Sequence, residues 1–319
     1  MDAVYFLVQQ MMFFSIPLLI VALGGMFSER SGVVNIALEG IMVAGAFTSI
    51  LMINTLQDGM SGQGLLLLAI LVAIVTGALF SLLHAYAAIS LRSDQTISGT
   101  ALNMIAPASA IYLARMIQPN GVQQIEFTNT FRIAKVPLLG DIPVLGPLLF
   151  QNAYITTYIG IIIFIAAAFV LYKTRFGLRL RACGEHPQAA DSVGVNVYQI
   201  RYAGVMISGA LAGLGGLVYV IPTSTNFNAT VSGYGFLALA VLIFGQWKPL
   251  RILLAAFFFG LMKTIASAYS GIPFLQNLGI PSDIYKMVPF VATLIALAFT
   301  SKKSQAPRAS GVPYDKGMR

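Results

Sequence analysis

Apolar residues occur along the chain in runs of about 20, separated by shorter stretches that hold most of the charges, prolines and glycines. A helical run of this length crosses a hydrocarbon core of about 30 Å, whereas a buried helix of a soluble protein is shorter and apolar on one face. The pattern predicts an all-α polytopic membrane protein with about nine spans, in a range of eight to ten. They are expected near residues 5–27, 33–55, 64–91, 95–117, 153–172, 202–222, 232–246, 249–270 and 284–300.

The seventh run, residues 232–246, is too short to cross a membrane comfortably by itself. Irregular backbone at membrane depth is tolerated only where protein or a wet cavity surrounds it, so this run predicts a half-helix or re-entrant element. Its Ser232-Gly233 start resembles Ser31-Gly32, and an apolar-Ala-Leu triplet follows three residues after each. In the predicted topology the two elements run in opposite directions, which suggests an inverted repeat with broken or re-entrant helices.

Composition excludes a water-soluble fold, since 57% of the residues are hydrophobic and 9% are charged, against roughly a quarter charged in soluble domains. The net charge of +8 does not indicate nucleic acid binding, because Lys and Arg concentrate in a few connections and the tail. The positive-inside bias puts the N-terminus outside and the C-terminus in the cytoplasm. We expect a multi-pass protein of the bacterial plasma (inner) membrane, in contact with lipid and without a nucleic acid partner.

The spans predict a single transmembrane domain over residues 1–300, followed by a polar, Pro- and Gly-rich tail, 301–319, expected to be disordered in the cytoplasm. Two connections are long. The outer loop, residues 118–152, contains a Pro/Gly-punctuated segment, 137–147, that is too broken for a helix; it either lies at the interface near an external partner or plugs the space between helix ends.

The other long connection, residues 173–201, is predicted to be cytoplasmic. Within it, Glu185–Val193 has the pattern of a short helix, with Pro187 in the first turn and Gly194 as the stop. A short helix on the membrane surface buries little by itself. We therefore expect another protein to cover it.

Enzyme signatures are absent from the sequence. The two histidines, His84 and His186, are far apart, and no HExxH, GxSxG or P-loop motif occurs. Cys183 is the single cysteine, which leaves no disulfide and no thiolate metal site. We expect no enzyme activity, no metal and no cofactor in this chain, so that any ATP is bound and hydrolysed by a partner.

Candidate pathway residues lie in two polar clusters inside apolar runs. In the first cluster, Asn35 and Glu39 stand beside glycines that permit a broken helix; an ionisable residue within a span costs a few kcal/mol unless it faces a wet cavity or a partner. The alternative is that Glu39 braces a neighbouring helix through an intramembrane pair with Lys263. The second cluster contains Ser98, Thr100 and Asn103, which either contact a polar solute or form helix–helix hydrogen bonds.

Small residues in the sixth run repeat at a spacing of four. Gly209 and Gly213 form one pair, and Ala212 and Gly216 form another. This spacing allows helix backbones to approach closely, so it predicts packing and not a site. After the seventh run, Trp247 and Lys248 suit an anchor at the inner interface.

Residues 174–196 resemble the coupling loop of the ABC permease family that serves branched-chain amino acids, simple sugars and nucleosides. The family pattern G-x-x-x-x-A-A-x-x-x-G-[IV]-x-V is matched at Gly184, Ala189, Ala190, Gly194, Val195 and Val197. The resemblance implies that this loop docks into an ATPase subunit. The expected coupling residues are Gly184, Glu185, Ala189, Ala190, Ser192 and Gly194.

Residues 29–40 resemble the nucleoside branch of the same family, since Asn35 and Glu39 replace the Gly-Gly-Ile-Asp-Leu-Ser-like segment of sugar permeases. The resemblance implies the transmembrane subunit of an ATP-driven nucleoside importer. Its implied partners are a cytoplasmic ATP-binding subunit, a second related permease or another copy of this chain, and an external substrate-binding lipoprotein. A simple-sugar or branched-chain amino-acid permease is the alternative, and an ion-coupled secondary transporter with Glu39 and Lys263 as its relay is a third hypothesis.

Overall fold

Ten α-helices account for most of the protein in a computed structural model, which describes residues 2–268, 305–317 and scattered positions from 281 to 294. Seven of these helices are long and apolar enough to cross a membrane. The helices are α1 Asp2–Arg30, α2 Leu38–Leu56, α3 Gln63–Ala85, α4 Gln95–Ile117, α5 Ile155–Lys173, α6 Arg175–Glu185, α7 Pro187–Ser192, α8 Val197–Thr223, α9 Tyr234–Phe244 and α10 Pro249–Ala268.

The predicted fold class is confirmed, because the long helices follow the apolar runs and α3 continues as a π-helical turn, Tyr86–Ser90. The short seventh run forms the 11-residue helix α9. The predicted ninth span, 284–300, lies outside the described residues apart from isolated positions, and the orientation stays a prediction.

Helices α1 and α8 form the centre of the molecule. In their most apolar 18-residue stretches, 67% and 78% of the residues are buried, against 28% in α4 and in α5. Helix α8 contacts α1, α2 and α3. The outward faces of α3 and α4 carry exposed apolar side chains such as Leu71, Leu79 and Met104. These surfaces match what a helix presents to lipid or to another membrane subunit.

The predicted small-residue packing of the sixth run is confirmed on α8. A Cβ built on Gly213 would lie 2.3 Å from the Ala73 carbonyl oxygen of α3, and one on Gly216 would lie 2.1 Å from the Met42 carbonyl oxygen of α2. Gly45 of α2 approaches the Gly213 backbone equally closely. Three helix backbones therefore meet at a point where only hydrogen atoms fit.

Replacing Gly213 by alanine should lower the stability of the purified protein by about 1–3 kcal/mol, because the new methyl group meets backbone that cannot rotate away. Gly59 is the matched control, since a Cβ added there has nothing within 4 Å. Thermal unfolding in detergent measures both variants, and Gly59→Ala should stay within about 0.5 kcal/mol of the parent. Equal midpoints for both variants would contradict the close crossing.

The outer loop contains no α-helix, as its prolines and glycines predict. Strand β1, Ile125–Glu126, pairs antiparallel with β4, Asn226–Phe227, and β2, Ile133–Lys135, pairs antiparallel with β3, Gln151–Ala153. Gln9 of α1 donates to the Pro147 carbonyl oxygen at 2.8 Å, so one side of the loop is attached to a helix end. Leu138, in the Pro/Gly-punctuated segment of the same loop, is 87% exposed. The loop therefore combines the packing expected of a plug with a free apolar edge.

The basic connections that the positive-inside bias assigns to the cytoplasm lie at one end of the bundle. Arg30 at the end of α1 reaches Glu185 of α6. Residues 305–317 touch this end too, so the expectation of a disordered tail is wrong for them. Composition predicts disorder because the segment is polar, whereas Tyr314 is buried and its neighbours form hydrogen bonds to the helix ends.

Candidate functional site

A broken junction, residues 31–37, connects α1 to α2 in the protein interior. Gly32 has φ +97°, a left-handed conformation that favours glycine. Asn35 is buried, donates to the Ser208 hydroxyl of α8 at 2.9 Å and accepts from the Ala37 amide at 3.2 Å. Asn35 therefore satisfies one backbone amide of the break and ties the break to α8, as buried irregular backbone at membrane depth requires.

Side chains of α3 and α4 hold the same junction from the other side. The His84 Nε2 atom lies 2.9 Å from the Val34 carbonyl oxygen, and the Gln95 Oε1 atom accepts from the Val34 amide at 2.7 Å. Asn103 accepts from the Gly40 amide at 2.7 Å and donates to the Ile36 carbonyl at 2.9 Å. The junction is thus a fixed feature of the fold.

The second predicted cluster divides into two groups. Asn103 clamps the junction directly, and the Ser98 hydroxyl lies 2.9 Å from His84 Nδ1, so it supports a residue that does. Thr100 is exposed and its hydroxyl donates to carbonyls of its own helix, Thr96 and Ile97, at 2.9 and 3.0 Å. Ser98 and Asn103 therefore make hydrogen bonds between elements of the protein, as in the second of the two alternatives given for this cluster. Of the three residues, Thr100 alone faces outward.

Glu39 connects the start of α2 to the start of α9. Its two carboxylate oxygens accept from the Gly233 amide at 2.9 Å and from the Gly235 amide at 2.6 Å. Gly233 has φ +77°, and a Cβ on Gly235 would lie 2.4 Å from the Glu39 backbone. A carboxylate at a helix N-terminus satisfies free amides and interacts favourably with the helix dipole. The two elements suspected of being repeats therefore contact each other directly.

The predicted pair between Glu39 and Lys263 is wrong as an ion pair, since no salt bridge joins them among the described residues. The carboxylate is directed to the α9 amides instead, and Lys263 Nζ lies 5.9 Å from the ring centroid of Tyr234. That ring is tilted by 34° against Tyr219, with 4.0 Å between centroids. A cation over an aromatic face is a favourable arrangement.

The tyrosine pair, Tyr219 and Tyr234, is a feature that the sequence did not indicate. Tyr219 lies near the end of α8 and Tyr234 begins α9, so no common periodicity links them. Glu39, Tyr219 and Lys263 are each partly exposed. Together they combine an aromatic surface with a carboxylate and an amine, a set that suits a polar solute with a planar ring.

The coupling region forms two helices where one was expected. Helix α6 is capped by Thr174, whose hydroxyl accepts from the Gly177 amide at 3.1 Å, and α7 starts at Pro187. Glu185 ends α6 and lies 3.7 Å from Arg30. This ion pair joins the coupling region to the end of α1.

A buried turn between α9 and α10 extends this connection. Trp247 is 5% exposed and donates from Nε1 to Glu29 at 2.6 Å, while its carbonyl accepts from Arg30 at 3.1 Å. The expectation that Trp247 anchors the interface is therefore wrong, because its ring is enclosed by protein. The turn instead links α9 and α10 to α1.

The predicted coupling residues point in two directions. Ala189, Ser192 and Gly194 are exposed, and Glu185 is partly exposed. Gly184 and Ala190 are buried, and a Cβ on Gly184 would lie 2.3 Å from the Arg30 carbonyl oxygen. The first group can contact another protein, whereas Gly184 and Ala190 support α6 and α7 from beneath.

The family described as the branched-chain amino acid transport system permease component matches residues 7–297. The chain belongs to this permease family. The permease is 47% identical to the guanosine ABC transporter permease protein NupQ of Bacillus subtilis (strain 168), over 96% of this chain and 95% of NupQ. It is 44% identical to the nucleoside ABC transporter permease protein NupC of Lactococcus lactis subsp. cremoris (strain MG1363), over 97% and 96%.

A further relative is the nucleoside ABC transporter permease protein NupB of the same Lactococcus lactis strain, 26% identical over 95% of this chain and 84% of NupB. No solved structure matches the chain. The protein is a multi-pass permease subunit of the bacterial plasma membrane, and the ATPase activity resides in a partner subunit. The described residues contain no cluster of three or more His, Cys, Asp or Glu side chains that could hold a metal ion.

Proposed function

We propose that this permease forms part of the translocation pathway of an ATP-driven importer of nucleosides. The observation that carries the proposal is the similarity, at 47% and 44% identity over nearly the whole chain, to permeases named for guanosine and for nucleosides. Two residues set the nucleoside branch apart in the sequence: Asn35 lies in the junction and is bonded to α8, and Glu39, at the start of α2, holds the start of α9. The family model is described for branched-chain amino acids, and a permease protein of Haloferax volcanii named for glucose is 28% identical over 91% of this chain, well below the 47% and 44% of the nucleoside permeases.

The solute passes, in this proposal, beside the contact between the start of α2 and the start of α9. A nucleobase can stack on the partly exposed ring of Tyr219, which the buried Tyr234 supports from behind, and ribose hydroxyls can donate to Glu39. Of the other predicted pathway residues, Asn35, Ser98 and Asn103 hold the junction in place. Thr100, exposed on α4, contacts solute, lipid or a second permease.

The partners follow from the division of labour in the family. A cytoplasmic ATP-binding subunit, which also holds the ATP, docks on the exposed edge of α7. The second permease is a related chain, as the presence of both NupC and NupB in one Lactococcus lactis strain supports. An external substrate-binding lipoprotein delivers the nucleoside to the outer loop.

Uptake of labelled guanosine, ribose and leucine tests the solute. The assay uses cells without their own nucleoside uptake that express the permease with its partner subunits, and cells without the permease are the control. Guanosine should accumulate in a permease-dependent manner, and unlabelled nucleosides should compete. Uptake of ribose alone would contradict the nucleoside assignment.

The driving force is tested separately, because an ion-coupled transporter is the competing class. Dissipating the ion gradients while ATP is maintained should leave guanosine uptake largely intact, and depleting ATP should stop it. The opposite pattern would support a relay through Glu39 and Lys263. Glu39 is directed to the α9 amides and Lys263 to the Tyr234 ring, an arrangement that supports the ATP-driven class over the relay.

A further inference from the structure

The segment 305–317, here called the strap, follows an irregular path across one end of the helix bundle. The Ala309 amide donates to the Gly184 carbonyl of α6 at 2.8 Å, and the Gly311 amide donates to the Gly32 carbonyl of the junction at 3.2 Å. The Gln305 amide donates to the Gln246 side chain at 2.9 Å, in the turn before α10. Three backbone amides of one short segment therefore hold three separate parts of the permease.

Tyr314 anchors the strap beneath the coupling helices. It is 4% exposed and lies in an apolar cluster with Cys183 of α6, Ala190 of α7 and Val197 of α8. Its ring meets Tyr198 edge-on, with 5.4 Å between centroids. This aromatic ring is buried against residues of three helices and bridges α7 and α8.

Arg201 ties the strap to the transmembrane helix α8. The side chain is 1% exposed, Nη1 donates to the Val312 carbonyl at 3.0 Å, and the guanidinium lies 5.9 Å from the Tyr314 ring centroid. A buried guanidinium without acceptors is costly, so the strap carbonyl and the aromatic face help to keep this charge in the interior. Loss of the strap would uncover a cation inside the coupling region.

Two ion pairs define the register at the end of the strap. Asp315 accepts from Arg92 in a bidentate contact, with distances of 2.6 and 3.0 Å, just after the π-helical turn of α3. Lys316 Nζ lies 3.9 Å from Asp191 of α7. Exposed pairs add little stability, but a bidentate arginine–carboxylate contact specifies orientation.

We propose that the strap is part of the coupling apparatus: it holds α7 on the transmembrane helix ends, with Tyr314 as the positioning residue, so that movement of the ATPase subunit is passed to α8 and to the junction. This inference rests on the proposed function in one respect, the docking of an ATPase on α7. A free α7, connected only through its short loops, would tilt under load. The strapped α7 moves together with Gly32, Arg201 and Arg92.

The single cysteine provides a reporter of strap docking. Cys183 is 0% exposed beneath Tyr314, and burial raises the pKa of its thiol to about 11. Because the thiolate is the reactive form, a docked strap should make Cys183 nearly inert to maleimide at neutral pH. In membrane vesicles, Cys183 of the Tyr314→Ala variant and of a chain truncated before residue 305 should react with maleimide at least tenfold faster than Cys183 of the wild type.

Transport by the same variants tests the coupling role. With equal amounts of permease in the membrane, Tyr314→Ala and the truncated chain should lower the maximal uptake rate at least fivefold and leave the half-saturating solute concentration within twofold. Tyr314→Phe keeps the ring, and truncation after Gly317 keeps the strap, so both should retain wild-type uptake and an unreactive Cys183. The solute is whichever of guanosine, ribose and leucine the wild type imports.

The outcomes separate the strap from the proposed function. An unreactive Cys183 in the truncated chain, or wild-type uptake despite a reactive Cys183, would overturn the strap's role. Import of ribose or leucine instead of guanosine overturns the nucleoside assignment but leaves the strap comparison intact. If the wild type imports none of the three when all partner subunits are present, both proposals fall.

Discussion

Replacing Ala189 by glutamate is expected to abolish uptake while the permease still inserts into the membrane. Ala189 is exposed on α7, beside Ser192 and the apolar Val193, which is 77% exposed. Burial of an unpaired carboxylate in a protein interface costs several kcal/mol, enough to prevent docking of an ATPase subunit. The measurements are guanosine uptake and the amount of ATPase that co-purifies with the permease.

The serine variant of the same position is the control. Ala189→Ser adds one small polar atom to an exposed site, and uptake should stay within about twofold of wild type. Ala190→Glu is the wrong variant for this purpose, because Ala190 is buried against Cys183 and Tyr314. Full uptake by Ala189→Glu, with normal recovery of the ATPase, would show that α7 is not the docking helix.

Helix positions can be predicted from sequence here because the bilayer imposes a length on every apolar run. The short α9 is predictable for the same reason, and Gly32 and Asn35 mark the broken junction since they interrupt an apolar pattern. The partners of that junction are not predictable from local pattern. His84, Gln95 and Ser208 reach it from distant parts of the chain, and their polarity alone does not tell which groups of the junction they contact.

The coupling region shows a different limit. The family resemblance indicates Ala189 and Ala190 equally as coupling residues. Ala189 is exposed and Ala190 is buried, because the strap covers one side of α7. The strap itself has the composition of a disordered tail. Composition averages over a segment, whereas the strap is held by particular contacts: the buried ring of Tyr314, three backbone amides and two ion pairs. Tyr219 and Tyr234 are missed for a related reason, since their contact exists only after α8 and α9 pack.

Replacing Glu39 by glutamine should reduce uptake at least tenfold. The carboxylate accepts from two amides at the start of α9, and a glutamine offers one oxygen and directs an NH₂ group at the other amide. Losing one charged hydrogen bond and the favourable interaction with the helix N-terminus costs about 2 kcal/mol, equivalent to roughly a 30-fold change in an equilibrium. Uptake and thermal unfolding of the purified variant are the measurements.

Two further variants distinguish a specific role of Glu39 from a general effect of charge removal. Glu39→Asp keeps the charge on a shorter side chain that reaches one amide at best, so its uptake should lie between those of wild type and Glu39→Gln. Asp58→Asn removes an exposed carboxylate from the turn after α2 and should leave uptake unchanged. If Glu39→Gln transports as wild type does, the half-helix α9 is held by its packing against α1, α2 and α10, and the carboxylate takes no part in the pathway.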